Sequence, residues 1–229
     1  MFFFHWWDLI PVPGFLLALY AQFKLKSLYA KYQDMPQSQG KTGADVAQAI
    51  LDQAGIRDVS IEPCAGQLTD HYDPRKKVLR LSEANFRTSS LAAIGIAAHE
   101  AGHAIQHKEK YAPLEMRMAI VGVTGFATNA GWILFMIGLM IPTWGILLQI
   151  GIWCYSAIVV FQVITLPVEY DASARAKRVL ADLGFVNREE GEIIKKMLGV
   201  AALTYVAALA VAILELFKMI LIANSRRRN

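Results

Sequence analysis

The chain has 229 residues, of which 55% are hydrophobic and 18% are charged, and its formal net charge is +4. Soluble domains carry about 25% charged residues, so this composition excludes a water-soluble globular protein and a disordered chain. The 51 residues from Met118 to Val168 include no Asp, Glu, Lys or Arg. Because about 20 helical residues cross a bilayer, this run can hold two membrane spans, and the sequence predicts an integral membrane protein.

The N-terminal segment, residues 1–23, is almost wholly apolar and ends before Lys24. No basic residue precedes the apolar stretch, so we do not expect a cleavable signal peptide. Its length suffices for a bent membrane helix, and we predict a first transmembrane helix here. The aromatic residues Phe2–Phe4, Trp6 and Trp7 are typical of a membrane interface.

The next region, residues 24–117, is polar and mixed in composition. Thr42 can cap a short amphipathic helix that Gly55 ends. The segments 58–62 and 77–81 are rich in β-branched residues or alternate in polarity, and turn signals lie between them. These features predict a small β-hairpin.

A further helix is predicted to begin near Ser89 or Ser90 and to run through His107. The uncharged run then divides at residues 141–145, Ile-Pro-Thr-Trp-Gly. This division predicts a transmembrane hairpin within 118–166, made of helices at about 119–140 and 146–166.

A charged helical segment, residues 167–198, follows the hairpin. Pro167 stands at a position that helices tolerate in their first turn, so we predict a new helix there, ended by Gly184. Asn187, with a Glu three residues later, resembles the capping box of the next helix. That helix continues into residues 199–229, which we predict to be a fourth transmembrane helix with a basic tail.

The distribution of basic residues predicts the orientation. A hairpin leaves 24–117 and 167–198 on one side, and these two regions hold 19 of the 23 Lys and Arg residues. The positive-inside rule places them in the cytosol. The three arginines at 226–228 then lie outside, against the rule, unless the last span does not cross fully. No basic stripe interleaved with aromatic residues occurs, so we predict no nucleic-acid partner.

The motif that carries chemistry is His99-Glu100-Ala101-Gly102-His103, an HExxH sequence. Residues four apart share one face of a helix, so both imidazoles can bind one ion while Glu100 reaches a water on it. This is the pattern of the metalloprotease zinc helix, in which the metal activates water and a carboxylate serves as general base. A catalytic zinc also needs a third protein ligand.

Glu169 is the best candidate for that third ligand. It is the first charged residue after the hairpin, which returns it to the membrane surface where His99 lies, and two His with one Glu form a known zinc set. Its alternative role is a favourable charge in the first turn of a helix. His107, His71 and Asp70 remain weaker candidates.

Four segments carry a resemblance to a known family. They are LTDHYDPRKKVLRLS (68–82), AAHEAGHAIQ (97–106), LPVEYDAS (166–173) and AALTYVAA (201–208). Together they resemble the YugP-type membrane zinc metallopeptidases of bacteria, which are distantly similar to HtpX-type membrane proteases.

The resemblance implies a gluzincin-like zinc metallopeptidase that holds one Zn²⁺ ion. It implies His99 and His103 as ligands, Glu100 as general base and, from the HtpX-type relatives, Glu169 as third ligand. In those relatives an Asp four residues after the Glu orients a ligand histidine. This chain has Ser173 at that position and Asp171 two residues after the Glu.

Substrate recognition yields further hypotheses. An edge strand near the zinc helix can pair with an extended peptide, and we expect residues 77–81 to do so. His71, Tyr72 or Arg175 could stabilise the oxyanion, although the first two also suit a turn and Arg175 suits a solvated face.

The sequence therefore predicts a mainly α-helical integral membrane protein with about four transmembrane helices. It places a small α+β catalytic region of zincin type at the membrane face. We expect a zinc-dependent endopeptidase in the bacterial plasma membrane, facing the cytosol, with peptides or membrane proteins as substrates. The alternatives are a site-2-type intramembrane protease, whose HExxH helix would lie at membrane depth, and a non-enzymatic metal-binding scaffold.

Overall fold

The computed structural model describes residues 5–228. Over this range the chain is mainly helical with one small sheet, as predicted. The helices are α1 (Val12–Tyr32), α2 (Gly43–Gln53), α3 (Glu83–Arg87), α4 (Leu91–Lys108), α5 (Ala112–Met140), α6 (Ile146–Asp182) and α7 (Arg188–Arg228). The strands are β1 (Ser60–Cys64), β2 (His71–Asp73) and β3 (Val78–Ser82).

The chain divides into two compact units. Within the described residues, the apolar unit comprises 5–21, 116–166 and 204–228. The mixed unit comprises Gln22–Glu115 and Pro167–Leu203. The sheet and helices α2, α3 and α4 belong wholly to the mixed unit, whereas α6 and α7 each contribute residues to both.

Three helices in the described range, α5, α6 and α7, are long and apolar enough to cross a membrane. In the apolar unit α5 and α6 pack closely at glycines. A Cβ atom at Gly151 would lie 2.7 Å from the backbone nitrogen of Phe135 and 2.8 Å from the carbonyl oxygen of Gly131. Small residues at such contacts are typical of membrane helices. The predicted break between the two helices is confirmed, because α5 ends at Met140 and α6 begins at Ile146.

The predicted first span, residues 1–23, is not among the candidate spans found in the described range. Phe2–Phe4, predicted to lie at the interface, fall outside the described residues. The chain makes a 3-10 turn at Trp6–Leu9 before α1 begins, which leaves only 12 residues of α1 ahead of Lys24. Twelve helical residues cover about 18 Å, against a hydrocarbon core of about 30 Å.

The helix starts predicted in the mixed unit are confirmed. Thr42 caps α2, since its hydroxyl accepts from the Asp45 backbone N–H and the Asp45 carboxylate accepts from the Thr42 N–H. Ser90 caps α4 by accepting from the Ala93 N–H. Asn187 forms the predicted capping box with Glu190 at the start of α7.

The predicted hairpin between 58–62 and 77–81 is wrong. The strand order is β1-β3-β2, in which β1 runs parallel to β3 and β2 runs antiparallel to it. The tight connection lies between β2 and β3, where the Asp73 carboxylate accepts from the N–H groups of Arg75 and Lys76. β3 is therefore the central strand. It cannot be the edge strand that we expected to pair with substrate, because both of its edges are occupied.

The prediction of a new helix at Pro167 is also wrong, because Pro167 lies inside α6. A proline inside a helix removes one backbone hydrogen bond and crowds the carbonyl four residues earlier. The helix nevertheless continues, and the residues that follow are firmly packed: Val168 and Ala172 are wholly buried in the mixed unit. Glu169 is consequently not in the first turn of a helix. Further on, Gly184 ends α6 with a φ of +68°, as predicted.

The core of the mixed unit surrounds α4. Its buried side chains come from α2, β3, α4, α6 and α7. On α4 these are mostly small residues, among them Ala97, Ala98, Ala101 and Ala104. The HExxH helix lies in the middle of the unit, and its small side chains let the backbones of neighbouring elements approach it.

Candidate metal centre

Three side chains predicted as metal ligands converge in the mixed unit. His99 and His103 lie one turn apart on α4, and Glu169 comes from α6. One ligand atom from each of the three residues lies within 4.8 Å of the others. The Glu169 Oε2 atom is 3.3 Å from the Nε2 atom of His99 and 3.6 Å from the Nε2 atom of His103. The geometry thus brings together two imidazole nitrogens and one carboxylate oxygen.

A close approach of two backbones allows this convergence. A Cβ atom at Gly102 would lie 2.8 Å from the carbonyl oxygen of Ala172. Any larger residue at position 102 would therefore push α6 away from α4. Packing against α6 therefore requires glycine at position 102, and the HExxH pattern alone does not reveal this requirement.

The centre is buried and contains two carboxylate side chains. Glu169 is 2% exposed, and Glu100 and His103 are each 8% exposed. Burial lowers the pKa of His103, but the hydrogen bond with Glu169 and the charges of Glu100 and Glu169 raise it, and the net shift is upward. Two buried carboxylates are costly without a compensating positive charge. A divalent cation held by the two imidazoles and Glu169 would supply that charge.

Each histidine uses its other ring nitrogen for a polar contact. The Nδ1 atom of His99 is 3.2 Å from the Ser173 hydroxyl, and the Nδ1 atom of His103 is 2.9 Å from the Gln106 side-chain oxygen. Such contacts orient metal-bound histidines. Ser173 thus stands beside a ligand histidine, at the position where the HtpX-type relatives have Asp.

Gln106 is a site residue that the sequence interpretation missed. The available signal was a long polar side chain three residues after His103, within a stretch of α4 made mostly of small and apolar residues. Its partners on α6 are Val168 and Asp171. These lie 62 and 65 positions away in the chain, so the signal was incomplete without the fold.

Glu100 lies beside this group and is held by the sheet. Its carboxylate accepts a hydrogen bond of 2.9 Å from the backbone N–H of Tyr72, on the edge strand β2. The Tyr72 hydroxyl lies 2.8 Å from the Nδ1 atom of His107. Burial, together with the charges of Asp58 and Asp73, raises the pKa of Tyr72 to about 12, so its hydroxyl keeps its proton at neutral pH and can donate to His107.

The weaker ligand candidates lie elsewhere in the described structure. His107 contacts Tyr72, and His71 makes a contact of 2.8 Å with the Thr69 carbonyl oxygen. Asp70 accepts hydrogen bonds from the Ser82 backbone and the Asn85 side chain. None of the three belongs to the group that could hold an ion.

The residues considered for the oxyanion are also engaged. Arg175 donates to Asp171 at 2.5 Å and to Glu109 at 2.6 Å. The Tyr72 hydroxyl is directed to His107, and His71 is bonded within its own turn. All three candidates for oxyanion stabilisation thus have other polar partners in the described structure.

Two imidazoles and one carboxylate, with a second carboxylate beside them, match the residue types found in catalytic zinc sites. A family model described as "Putative neutral zinc metallopeptidase" matches residues 7–224. A relative from Bacillus subtilis (strain 168), named "Putative membrane protease YugP", is 45% identical over 221 residues, covering 96% of this chain and 98% of the relative. No solved structure gives a significant match. These findings confirm the resemblance seen in the motifs, and the chain belongs to the family of "putative neutral zinc metallopeptidases".

Proposed function

We propose that this protein is a membrane-embedded, zinc-dependent endopeptidase. The observation that carries the proposal is the convergence of His99, His103 and Glu169 within 4.8 Å, with Glu100 held beside them. One zinc ion fits this set, because His and Glu are its usual catalytic ligands. The buried Glu169 carboxylate lies between the two Nε2 atoms, where a cation would satisfy all three groups.

The proposed chemistry is hydrolysis of a peptide bond. Zinc, when bound, supplies a Lewis acid that acidifies water and polarises a carbonyl group. Glu100 takes the proton from the attacking water and delivers it to the leaving nitrogen. The Tyr72 N–H group fixes one oxygen of this carboxylate, while Ser173 and Gln106 hold the two imidazole rings in place.

We further propose that the reaction takes place at the cytosolic face of the bacterial plasma membrane. Glu169 is the first residue after the uncharged run. It lies on α6, the helix that also contains the last residues of that run. The excess of Lys and Arg in 24–117 and 167–198 supports a cytosolic location. Peptides and membrane proteins are then accessible substrates.

The position of α4 favours this function over intramembrane proteolysis. A site-2-type protease would hold its HExxH helix at membrane depth. α4 is not among the candidate spans of the described residues, and it packs against α2, α3 and the sheet within the mixed unit. These contacts support a catalytic region outside the hydrocarbon core.

The decisive experiment replaces the general base. With the full-length protein purified in detergent and loaded with zinc, we expect Glu100→Gln to lower cleavage of an unfolded protein by at least about 100-fold, the range of general-base effects. Zinc stoichiometry should stay at one per chain, because Glu100 is not a ligand. The control is Glu83→Gln, the same chemical change at an exposed residue of α3, which should retain full activity.

Two outcomes would contradict the proposal. Unchanged cleavage by Glu100→Gln would remove the assigned base. If the wild-type protein binds one zinc ion per chain but cleaves no protein, the result would favour the non-enzymatic metal-binding scaffold.

A further inference from the structure

Gln106 makes an unusually complete set of contacts for a residue outside the ligand set. It is 0% exposed. Its side-chain nitrogen donates to the Val168 carbonyl oxygen and to the Asp171 carboxylate, each at 2.8 Å. Its side-chain oxygen lies 2.9 Å from the Nδ1 atom of His103. Every polar atom of the amide thus has a partner.

The chemistry of these partners fixes the orientation of the amide. A backbone carbonyl and a carboxylate can only accept, so the –NH₂ end of Gln106 must face Val168 and Asp171. The carbonyl end is then left for His103, and it can only accept. The Nδ1 atom of His103 must therefore carry the hydrogen, and in the neutral ring the lone pair lies on Nε2. Nε2 is the atom that faces Glu169.

Asp171 is itself held by a chain of charges. Arg175 donates to Asp171 and also to Glu109, the residue that follows α4. Contacts therefore run from Gln106 on α4 to Asp171 and Arg175 on α6 and return to the end of α4. Val168 and Asp171 lie on either side of Glu169 in the sequence. The Gln106 amide, which orients the proposed ligand His103, is thus hydrogen-bonded to residues on both sides of the proposed ligand Glu169.

The partner of the other histidine has no such directionality. The Ser173 hydroxyl lies 3.2 Å from the Nδ1 atom of His99, and a hydroxyl can donate or accept. Ser173 orients the ring without selecting its tautomer. This asymmetry singles out Gln106.

We propose that Gln106 is the positioning residue of the metal centre: it selects the metal-binding tautomer of His103 and bonds α4 to the stretch of α6 that carries Glu169. The inference rests on the proposed zinc site. It extends the proposed function by naming a residue that controls zinc affinity without touching zinc.

The test compares two buried glutamines of the mixed unit by zinc affinity. Gln37 is 3% exposed, and its amide also donates to a carbonyl oxygen, of Phe185, and accepts from a backbone N–H, of Lys41. We expect Gln106→Leu to weaken zinc binding 10- to 100-fold, the usual range for partners of metal ligands. Gln37→Leu should change zinc affinity by less than about threefold, although it also removes hydrogen bonds of a buried amide. Affinity is measured on the full-length protein in detergent by competition with a chelator.

A second variant protects the test if Gln106→Leu fails to fold. Gln106→Glu keeps an acceptor for His103 but places two carboxylates together, so it should weaken zinc binding. Adding Asp171→Asn restores a donor opposite the new acceptor, and we expect the double variant to recover at least tenfold of the lost affinity. Zinc affinity is compared on the folded fraction of each variant, where a role in folding alone predicts no difference between the single and the double variant.

The outcomes separate this inference from the proposed function. If wild-type protein binds no zinc, the zinc site itself fails. If wild-type protein binds zinc and cleaves protein, the inference is overturned when folded Gln106→Leu binds zinc as tightly as wild type. It is equally overturned when Gln37→Leu loses as much affinity, or when Asp171→Asn gives no recovery.

Discussion

The two units of this protein join helices by different means, and α6 takes part in both. In the apolar unit its contact with α5 uses glycines and apolar side chains, such as Gly151 against Phe135. In the mixed unit its contact with α4 combines one glycine, Gly102, with the buried polar side chain of Gln106. The same helix is thus packed closely at glycines in both units, and in the mixed unit the buried Gln106 adds hydrogen bonds to it.

The difference follows from what each contact must specify. Lipid tails are as apolar as leucine, so membrane helices associate through close packing rather than through burial of apolar surface. In the mixed unit, two helices must also present three ligand atoms within a few ångströms. Hydrogen bonds are directional and fix rotation and register. We therefore expect substitutions in the apolar unit to alter stability, and substitutions in the mixed unit to alter metal binding first.

We expect the largest effect on stability from a substitution at the close backbone contact between α5 and α6 in the apolar unit. Gly151→Leu would force a side chain against the Phe135 nitrogen and the Gly131 carbonyl, neither of which can move without its helix. We expect a loss of about 3 kcal/mol, at the upper end for overpacking, measured by equilibrium unfolding in detergent. The matched control is Gly125→Leu on α5, where no atom lies within 4 Å of the added Cβ. Equal stability of the two variants would contradict the close α5–α6 packing.

The sequence predicted the features that depend on neighbouring residues. The caps at Thr42, Ser90 and Asn187 each use a backbone N–H three residues away, so a short window contains both partners. The HExxH pair lies on one helix for the same reason. Chain order alone was enough to predict Glu169 as the third ligand, because it is the first charged residue after the uncharged run.

Other features that depend on distant residues were wrong or missed. Pro167 indicated a helix start, and only the packing around it shows that α6 continues. The partners of β3 were ambiguous because three short strands offered several pairings. Gln106 was overlooked because the two α6 residues that complete its contacts are more than 60 positions away. Each error arose where tertiary contacts outweighed a local signal.

A medium effect is expected where α4 and α6 meet. Gly102→Ala places a Cβ atom 2.8 Å from the Ala172 carbonyl oxygen, so α6 must shift and carry Glu169 with it. We expect zinc affinity to fall about 10- to 100-fold, as for other displaced partners in metal sites. Chelator competition measures the change.

The same helix supplies the control for that substitution. At Gly95 an added Cβ atom would meet the ends of the Met197 and Ile194 side chains, at 3.0 and 3.2 Å. A flexible methionine can move aside, whereas a backbone carbonyl cannot. Gly95→Ala should therefore leave zinc affinity within about threefold of wild type. A larger loss in Gly95→Ala than in Gly102→Ala would show that α4 tolerates no added volume on either face.

The smallest effects concern two ion pairs on α7 with identical spacing. Glu215 and Lys218 belong to the apolar unit, lie 3.2 Å apart and have side chains 10% and 17% exposed. Glu192 and Lys195 belong to the mixed unit, lie 3.1 Å apart and are 66% and 59% exposed. Glu215→Gln leaves a half-buried lysine without its counter-charge, so we expect a loss of about 2 kcal/mol. Glu192→Gln should cost less than about 0.5 kcal/mol, because exposed pairs contribute little.

A double substitution separates the value of the buried pair from the cost of leaving one charge alone. Removing both charges, by Glu215→Gln with Lys218→Met, eliminates the unpaired lysine. We expect the double variant to be more stable than Glu215→Gln alone, because breaking a buried pair costs more than replacing it. Equilibrium unfolding of the three variants measures the difference. If Glu215→Gln and Glu192→Gln had equal effects, the Glu215 carboxylate would be in contact with water, and the apolar unit would have to contain a polar path into the segment that we assign to the membrane.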